Sequence, residues 1–166
     1  MTQQALPPAC VTVLGAGAWG TALAAAASRQ SKVMLWGRNP DLMRRMATNQ
    51  TNDTYLPGIQ LPDSLQYCDD ISTAFNHVMP SQGQPGLMVL ATPMAGLLEI
   101  CRQLRDRLAP GETPAGIVWT CKGLTPDNAK LPHEVIEQVL SDWPAYPKTP
   151  KPRVTIQIGA SLNNKF

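Results

Sequence analysis

Val11-Thr-Val-Leu14, Gly15-Ala-Gly-Ala-Trp-Gly20 and Thr21-Ala-Leu-Ala-Ala-Ala-Ala-Ser28 follow one another without interruption. A short β-branched run leads into a glycine turn, and the turn opens into an alanine-rich helix. The spacing Gly-x-Gly-x-x-Gly arises by chance in Ala/Gly-rich chains, but between a strand and a helix it acquires a mechanism. Gly15 permits the tight turn, Gly17 lets the backbone approach a pyrophosphate, and Gly20 lets the helix pack closely on the strand. The helix N-terminus then presents its unpaired N–H groups to the phosphates.

Outward from this unit, strands and helices alternate. Val33-Met-Leu-Trp36 reads as a second short buried strand, and Asn39-Pro40-Asp41 as a helix start with Asn as cap, Pro in the first helical position and an acid in the first turn. Leu42, Met43 and Met46 mark the apolar face of that helix. Residues 47–66 are turn-rich and expected to be irregular, with a short helix from Asp70 to Asn76 after them. Leu87–Ala91 is apolar on both faces, as a buried parallel strand is. Met94–Leu108 has apolar residues at helical spacing and arginines near its C-terminus, and Pro110-Gly111 stops it. Gly116–Thr120 is a further strand, Leu131–Leu140 a further helix, and Val154–Ile158 a candidate last strand. The pattern predicts an α/β fold: a Rossmann-like, doubly wound, mainly parallel sheet in a single domain. It places an N-terminal extension at 1–9, a dinucleotide-binding domain at 10–140, and a Pro-rich linker with a divergent tail at 141–166.

Composition narrows the function classes. A chain of 166 residues is expected to form one domain with a real core. Charged residues are 16%, against about 25% in an average domain, and the net charge is only +2, so neither a coiled coil nor a nucleic-acid-coating protein is expected. No apolar run reaches the roughly 18 residues of a membrane span, and Met1 to Cys10 lacks the features of a secretory signal, which points to the cytoplasm. Cys10, Cys68, Cys101 and Cys121 are too scattered for a metal site with His77 or His133, and no metal is expected. They read as free thiols in a reducing compartment.

A dinucleotide fingerprint usually places Asp or Glu about 20 residues beyond the glycines, to hold the ribose 2′-hydroxyl. Here the second strand ends Trp36-Gly37-Arg38-Asn39, with no acid. Arg38 offers a fork of donors suited to a 2′-phosphate and a plane that can lie on adenine. This favours NADP, with NAD as the lesser cofactor.

Four segments stand in order: Gly15-Ala-Gly-Ala-Trp-Gly-Thr-Ala-Leu23, Leu35-Trp-Gly-Arg38, Tyr55-Leu-Pro-Gly-Ile-Gln-Leu-Pro62 and Trp119-Thr-Cys-Lys-Gly-Leu124. Together they resemble the N-terminal domain of bacterial NAD(P)-dependent glycerol-3-phosphate dehydrogenase, over roughly residues 10–141. The resemblance implies reduction of dihydroxyacetone phosphate to sn-glycerol 3-phosphate, the entry to phospholipid backbones, with a small-molecule substrate and, for the full-length form, a homodimer. It implies cofactor contacts at Trp19, Arg38 and Tyr55, and at Ala18, where the family often has Ser. It assigns Lys122 to both cofactor and substrate. Lys122 also follows the C-terminal end of a strand, where open α/β sheets bind ligands. Gly159 and Ser161 echo a family Gly-Pro-Ser motif that contacts substrate. The family's proton-transferring lysine belongs to a helical substrate domain that this sequence lacks, so no catalytic residue is assigned and the chain alone is expected to be inactive. Two alternatives stay open: a non-catalytic nucleotide-binding module, and the cofactor domain of another two-domain reductase of the ketopantoate-reductase kind.

Overall fold

In the computed structural model, which describes residues 10–79, 86–107 and 116–140, Cys10–Leu14 forms the central strand β1. Helix α1 (Ala18–Ala27) returns the chain to β2 (Lys32–Trp36), and α2 (Pro40–Asn49) carries it on. A two-stranded hairpin of β3 (Thr51–Asn52) and β4 (Leu56–Gln60) precedes β5 (Gln66–Cys68) and α3 (Ile71–Asn76). Then come β6 (Leu87–Leu90), α4 (Met94–Arg107), β7 (Gly116–Trp119) and α5 (Pro132–Leu140).

Five strands make one sheet in the order β5-β2-β1-β6-β7, and each pair is parallel. The chain winds outward from β1 through β2 to β5, then crosses back to lay β6 on the other side of β1. That reversal creates a crevice beyond the C-terminal ends of β1 and β6, where ligands of such sheets bind. The doubly wound, parallel sheet expected from the strand–helix alternation is the observed fold.

Alternation along each strand sorts the core into two layers. Val11, Val13, Val33, Leu35 and Val89 face α1 and α2, where Ala24, Leu42, Met43 and Met46 meet them. Leu14, Met88 and Leu90 face α3, α4 and α5, against Phe75, Leu97, Leu104 and Ile136. Each such buried side chain is worth about 1.5–3 kcal/mol relative to exposure. Thr12 points into the second layer fully buried and is satisfied by donating its hydroxyl to the Ala74 carbonyl, 3.0 Å away.

The segment 47–66 departs from its expected irregularity. Helix α2 runs to Asn49, and β3 pairs antiparallel with β4 despite Pro57 and Gly58. The strand Gln66–Cys68 is not among the elements that the sequence pattern predicts. Its three residues carry no alternation of their own, and they become a strand because β2 offers a free edge. The expected helix stop at Pro110-Gly111, the strand at Val154–Ile158, the extension 1–9 and the tail 141–166, with Gly159 and Ser161, lie outside the described residues.

Candidate dinucleotide-binding site

A row of backbone hydrogen bonds closes the sheet at its C-terminal edge. Gly37 donates to Cys68 O (3.1 Å), Gly15 to Trp36 O (2.9 Å), Ala91 to Leu14 O (2.8 Å) and Thr120 to Leu90 O (2.9 Å). The chain therefore leaves β2, β1, β6 and β7 at one level, and the glycine loop, Arg38, Thr92 and Lys122 all emerge on that edge. Lys122 leaves a strand two places from β1, a lateral offset of about 10 Å at the usual strand spacing.

The three glycines of the loop are required for three different reasons. Gly15 has φ +127°, and a Cβ there would sit 2.6 Å from the Ala91 carbonyl oxygen. A Cβ on Gly20 would collide with the Gly15 carbonyl oxygen, so this residue sets the closeness of α1 to its own entry turn. Gly17 differs from both: its φ of −75° suits any residue, and a Cβ would meet nothing within 4 Å. Nothing in the protein's own packing asks for glycine at 17. What it keeps clear is space in front of the loop.

Helix α1 starts at this open position without a capping side chain, since Gly17 is its N-cap, and its first turn contains no acid. The first-turn N–H groups and the positive end of the helix dipole are thus left for something else to satisfy. Ala18 and Trp19 are exposed in that turn, the indole by 51%. An anion is the chemistry such a terminus takes.

Arg38 is exposed at the end of β2 and makes no hydrogen bond or ion pair with a described residue. Tyr55 tops the turn between β3 and β4 and is 53% exposed. Lys122 is exposed at the mouth of β7. The fold brings the glycine loop and the Arg38 segment into contact, and joins the Tyr55 turn to the loop through Asn52. Lys122 shares the edge but stands apart from that group.

Two further residues, Asn52 and Gly37, are not singled out by the sequence, and a third, Thr92, falls in the 92–93 segment that its strand-end position leads one to expect along the crevice. Asn52 is fully buried and hydrogen-bonds the glycine loop; an Asn before a turn reads from sequence only as a local turn residue. Gly37 lets the end of β2 close on the loop, because a Cβ there would strike Met43 Sδ and lie 2.9 Å from Ala16 Cβ. Thr92, next to Gly15 at the end of β6, has a buried hydroxyl with no partner among the described residues. An orphaned buried hydroxyl costs about 1–3 kcal/mol, and one beside a ligand crevice is a donor or acceptor in waiting.

Two thiols lie under this edge. Burial pushes Cys101 up to about 12, with the neighbouring Cys121 adding to the rise, and pushes Cys121 up to about 11. Both stay protonated at neutral pH and pack as small apolar groups. Among the described residues no cluster of His, Cys, Asp or Glu is placed to hold a metal ion, and no helix is long and apolar enough to cross a membrane.

A parallel sheet with its reversal at β1, and an uncapped glycine-loop helix at that point, define a Rossmann-like nucleotide-cofactor domain. The particular family follows from comparison with known proteins. The family described as NAD-dependent glycerol-3-phosphate dehydrogenase N-terminus matches residues 10–150, and the chain belongs to it. A curated relative from Herminiimonas arsenicoxydans, named glycerol-3-phosphate dehydrogenase, NAD(P)+, is 44% identical over 136 residues, which are 81% of this chain and 38% of the relative. A second of the same name, from Paucimonas lemoignei, is 44% identical over 130 residues, 78% of this chain and 36% of the relative. The crystal structure of glycerol-3-phosphate dehydrogenase from Coxiella burnetii superposes with a TM-score of 0.66 at 28% identity, over 80% of this chain and 38% of that one. The chain thus spans less than two-fifths of the length of these relatives.

Proposed function

We propose that residues 10–140 are the cofactor half of an sn-glycerol-3-phosphate dehydrogenase, binding NADPH in preference to NADH for the reduction of dihydroxyacetone phosphate. The observation that carries the reading is the uncapped N-terminus of α1 behind the open space at Gly17, with the guanidinium of Arg38 on the same sheet edge. A bound nicotinamide dinucleotide would supply a hydride. Gly15, Gly17 and Gly20 admit its pyrophosphate, and Ala18 and Trp19 flank it in the first turn of α1. Arg38 pairs a 2′-phosphate bidentately, a geometry that an ammonium does not match. Tyr55 lies on the cofactor side. Lys122 reaches from β7 to the substrate's phosphate or carbonyl oxygen and to the nicotinamide end. Gly159 and Ser161 join the substrate contacts on the strength of the sequence resemblance alone. The proposal extends to a protein that works in the cytoplasm on a small molecule, without nucleic acid, and as a homodimer.

Fluorescence titration of the chain with NADPH and NADH tests this. NADPH is expected to bind more tightly, and Arg38→Asp to erase the preference because its carboxylate repels a phosphate. Equal affinities of the unsubstituted chain would overturn the preference, and no binding of either cofactor would overturn the cofactor-half reading. With dihydroxyacetone phosphate added, residues 1–166 are expected to bind without NADPH oxidation, because carbonyl reduction also needs a positioned proton donor worth about 10²–10⁴-fold in rate, which the resemblance assigns to none of these residues.

A further inference from the structure

We propose that Asn52 is a positioning residue for the glycine loop: by holding the Ala16 carbonyl it aims the Gly17 N–H outward, into the space where a pyrophosphate would lie. The proposal rests on the reading of that loop as a dinucleotide site.

The Asn52 side chain is fully buried. Its amide nitrogen donates to Ala16 O at 3.0 Å and to Thr21 Oγ1 at 2.8 Å, and its Oδ1 accepts from the Tyr55 N–H at 3.2 Å. Chemistry fixes this orientation, since a backbone carbonyl can only accept and a backbone N–H can only donate. The two bonds from this nitrogen reach 36 and 31 residues back along the chain, to the middle of the glycine loop and to the buried Thr21 of α1.

A trans peptide is planar, so the carbonyl of Ala16 and the N–H of Gly17 point in opposite directions. Anchoring that carbonyl on a buried amide turns the Gly17 N–H the other way, away from Asn52, and a Cβ on Gly17 would itself meet nothing within 4 Å. The hydrogen bond at the carbonyl also polarises the peptide and strengthens its N–H as a donor. Because the same side chain holds the Tyr55 N–H, the turn bearing the exposed phenol is fixed relative to the loop.

A group that only stabilised the fold would weaken every ligand alike, or none. A group that aims Gly17 selectively affects ligands with a phosphate at the loop. The test compares NADPH with adenosine 2′-monophosphate, which keeps the adenine and 2′-phosphate but has nothing to place at Gly17, each titrated calorimetrically. Asn52→Asp keeps size and the acceptor for Tyr55 while removing both donors. NADPH affinity is expected to fall about tenfold to a hundredfold, while that of adenosine 2′-monophosphate stays within about twofold. Equal losses for the two ligands, or an unchanged NADPH affinity, would overturn the proposal. Failure of the unsubstituted chain to bind NADPH would instead overturn the dinucleotide reading, and this proposal with it. If Asn52→Asp does not fold, Thr21→Val decides the matter by releasing one of the two anchors. A severalfold loss confined to NADPH supports the positioning role, and an equal loss or none overturns it.

Discussion

Helices α1 and α2 each begin just past the end of one of two neighbouring parallel strands, yet their N-termini are finished in opposite ways. At α2 the Asn39 Oδ1 accepts from the N–H groups of Asp41 (3.0 Å) and Leu42 (3.2 Å), Pro40 removes a donor, and Asp41 sets a negative charge in the first turn. At α1 there is no capping side chain and no acid, and the N-cap is a glycine with open space beside it. The short helix α3 follows the α2 pattern, with Asp70 as its cap. The self-capped helices complete their own hydrogen bonding; α1 leaves its donors at the one place where the strand order reverses. A capping side chain is worth about 1 kcal/mol over alanine but only a few tenths over glycine, so α1 gives up little stability while leaving its donors at the site where a ligand would satisfy them.

The comparison breaks most visibly at the glycines that begin α1. Gly20→Ala puts a methyl into the Gly15 carbonyl oxygen, a backbone atom that cannot move without rebuilding the turn. Thermal denaturation should show a loss of more than about 3 kcal/mol, among the largest single-site effects. Gly17→Ser adds a Cβ that meets nothing within 4 Å, and its hydroxyl offers α1 a side-chain cap of the kind that α2 already has. Its stability should hold within about 0.5 kcal/mol of the parent, while NADPH binding falls by about tenfold or more. Loss of stability in both variants would show that Gly17, like Gly20, serves packing.

Asn39→Ala is the reciprocal change on α2. It should cost about 1 kcal/mol in denaturant or thermal unfolding and leave NADPH affinity unaltered. A fall in affinity with no loss of stability would reverse the assignment of the two termini.

How much of this contrast was legible in the sequence depends on how far apart the interacting residues lie. The cap at Asn39, the short helix beginning near Asp70, the glycine turn and the buried strands at 11–14 and 87–91 are local patterns, and the structure has them. β5 is a strand through its pairing with β2, and its three residues hold no periodic signature. Asn52 resembles any turn asparagine until the hairpin is folded back on the glycine loop and the side chain is buried. Thr92 stands where a strand end is expected to line the crevice, but nothing in the sequence marks its hydroxyl as buried and without a partner among the described residues. Resemblance supplied Tyr55 and Lys122 as candidate site residues; for Lys122 the strand-end position agrees with it, whereas neither spacing nor charge would have singled out Tyr55.

The smallest effect belongs to the cap that titrates. The Asp70 carboxylate accepts from Thr73 N at 2.8 Å, Thr73 Oγ1 at 2.7 Å and Ser72 N at 3.3 Å. These hydrogen bonds, those from Thr73 foremost, favour the charged form and hold its pKa down at about 2 against an ordinary 3.8. A folded-state pKa below the unfolded one means the stabilisation is complete above about pH 4 and drains away as the pH falls toward 2. Asp70 lies fully in solvent, so the contribution is small and screened by salt. It reaches the core all the same, because α3 places Ala74 and the fully enclosed Phe75 against the sheet. Asp70→Asn keeps an oxygen that can accept from Ser72 and Thr73 while removing the titration. Melting temperatures of the two proteins should therefore lie close together at about pH 2, and the parent should gain on the variant as the pH rises through the window. A constant offset across that range would mean that the charge at α3, unlike the open donors of α1, has no part in how the helix begins.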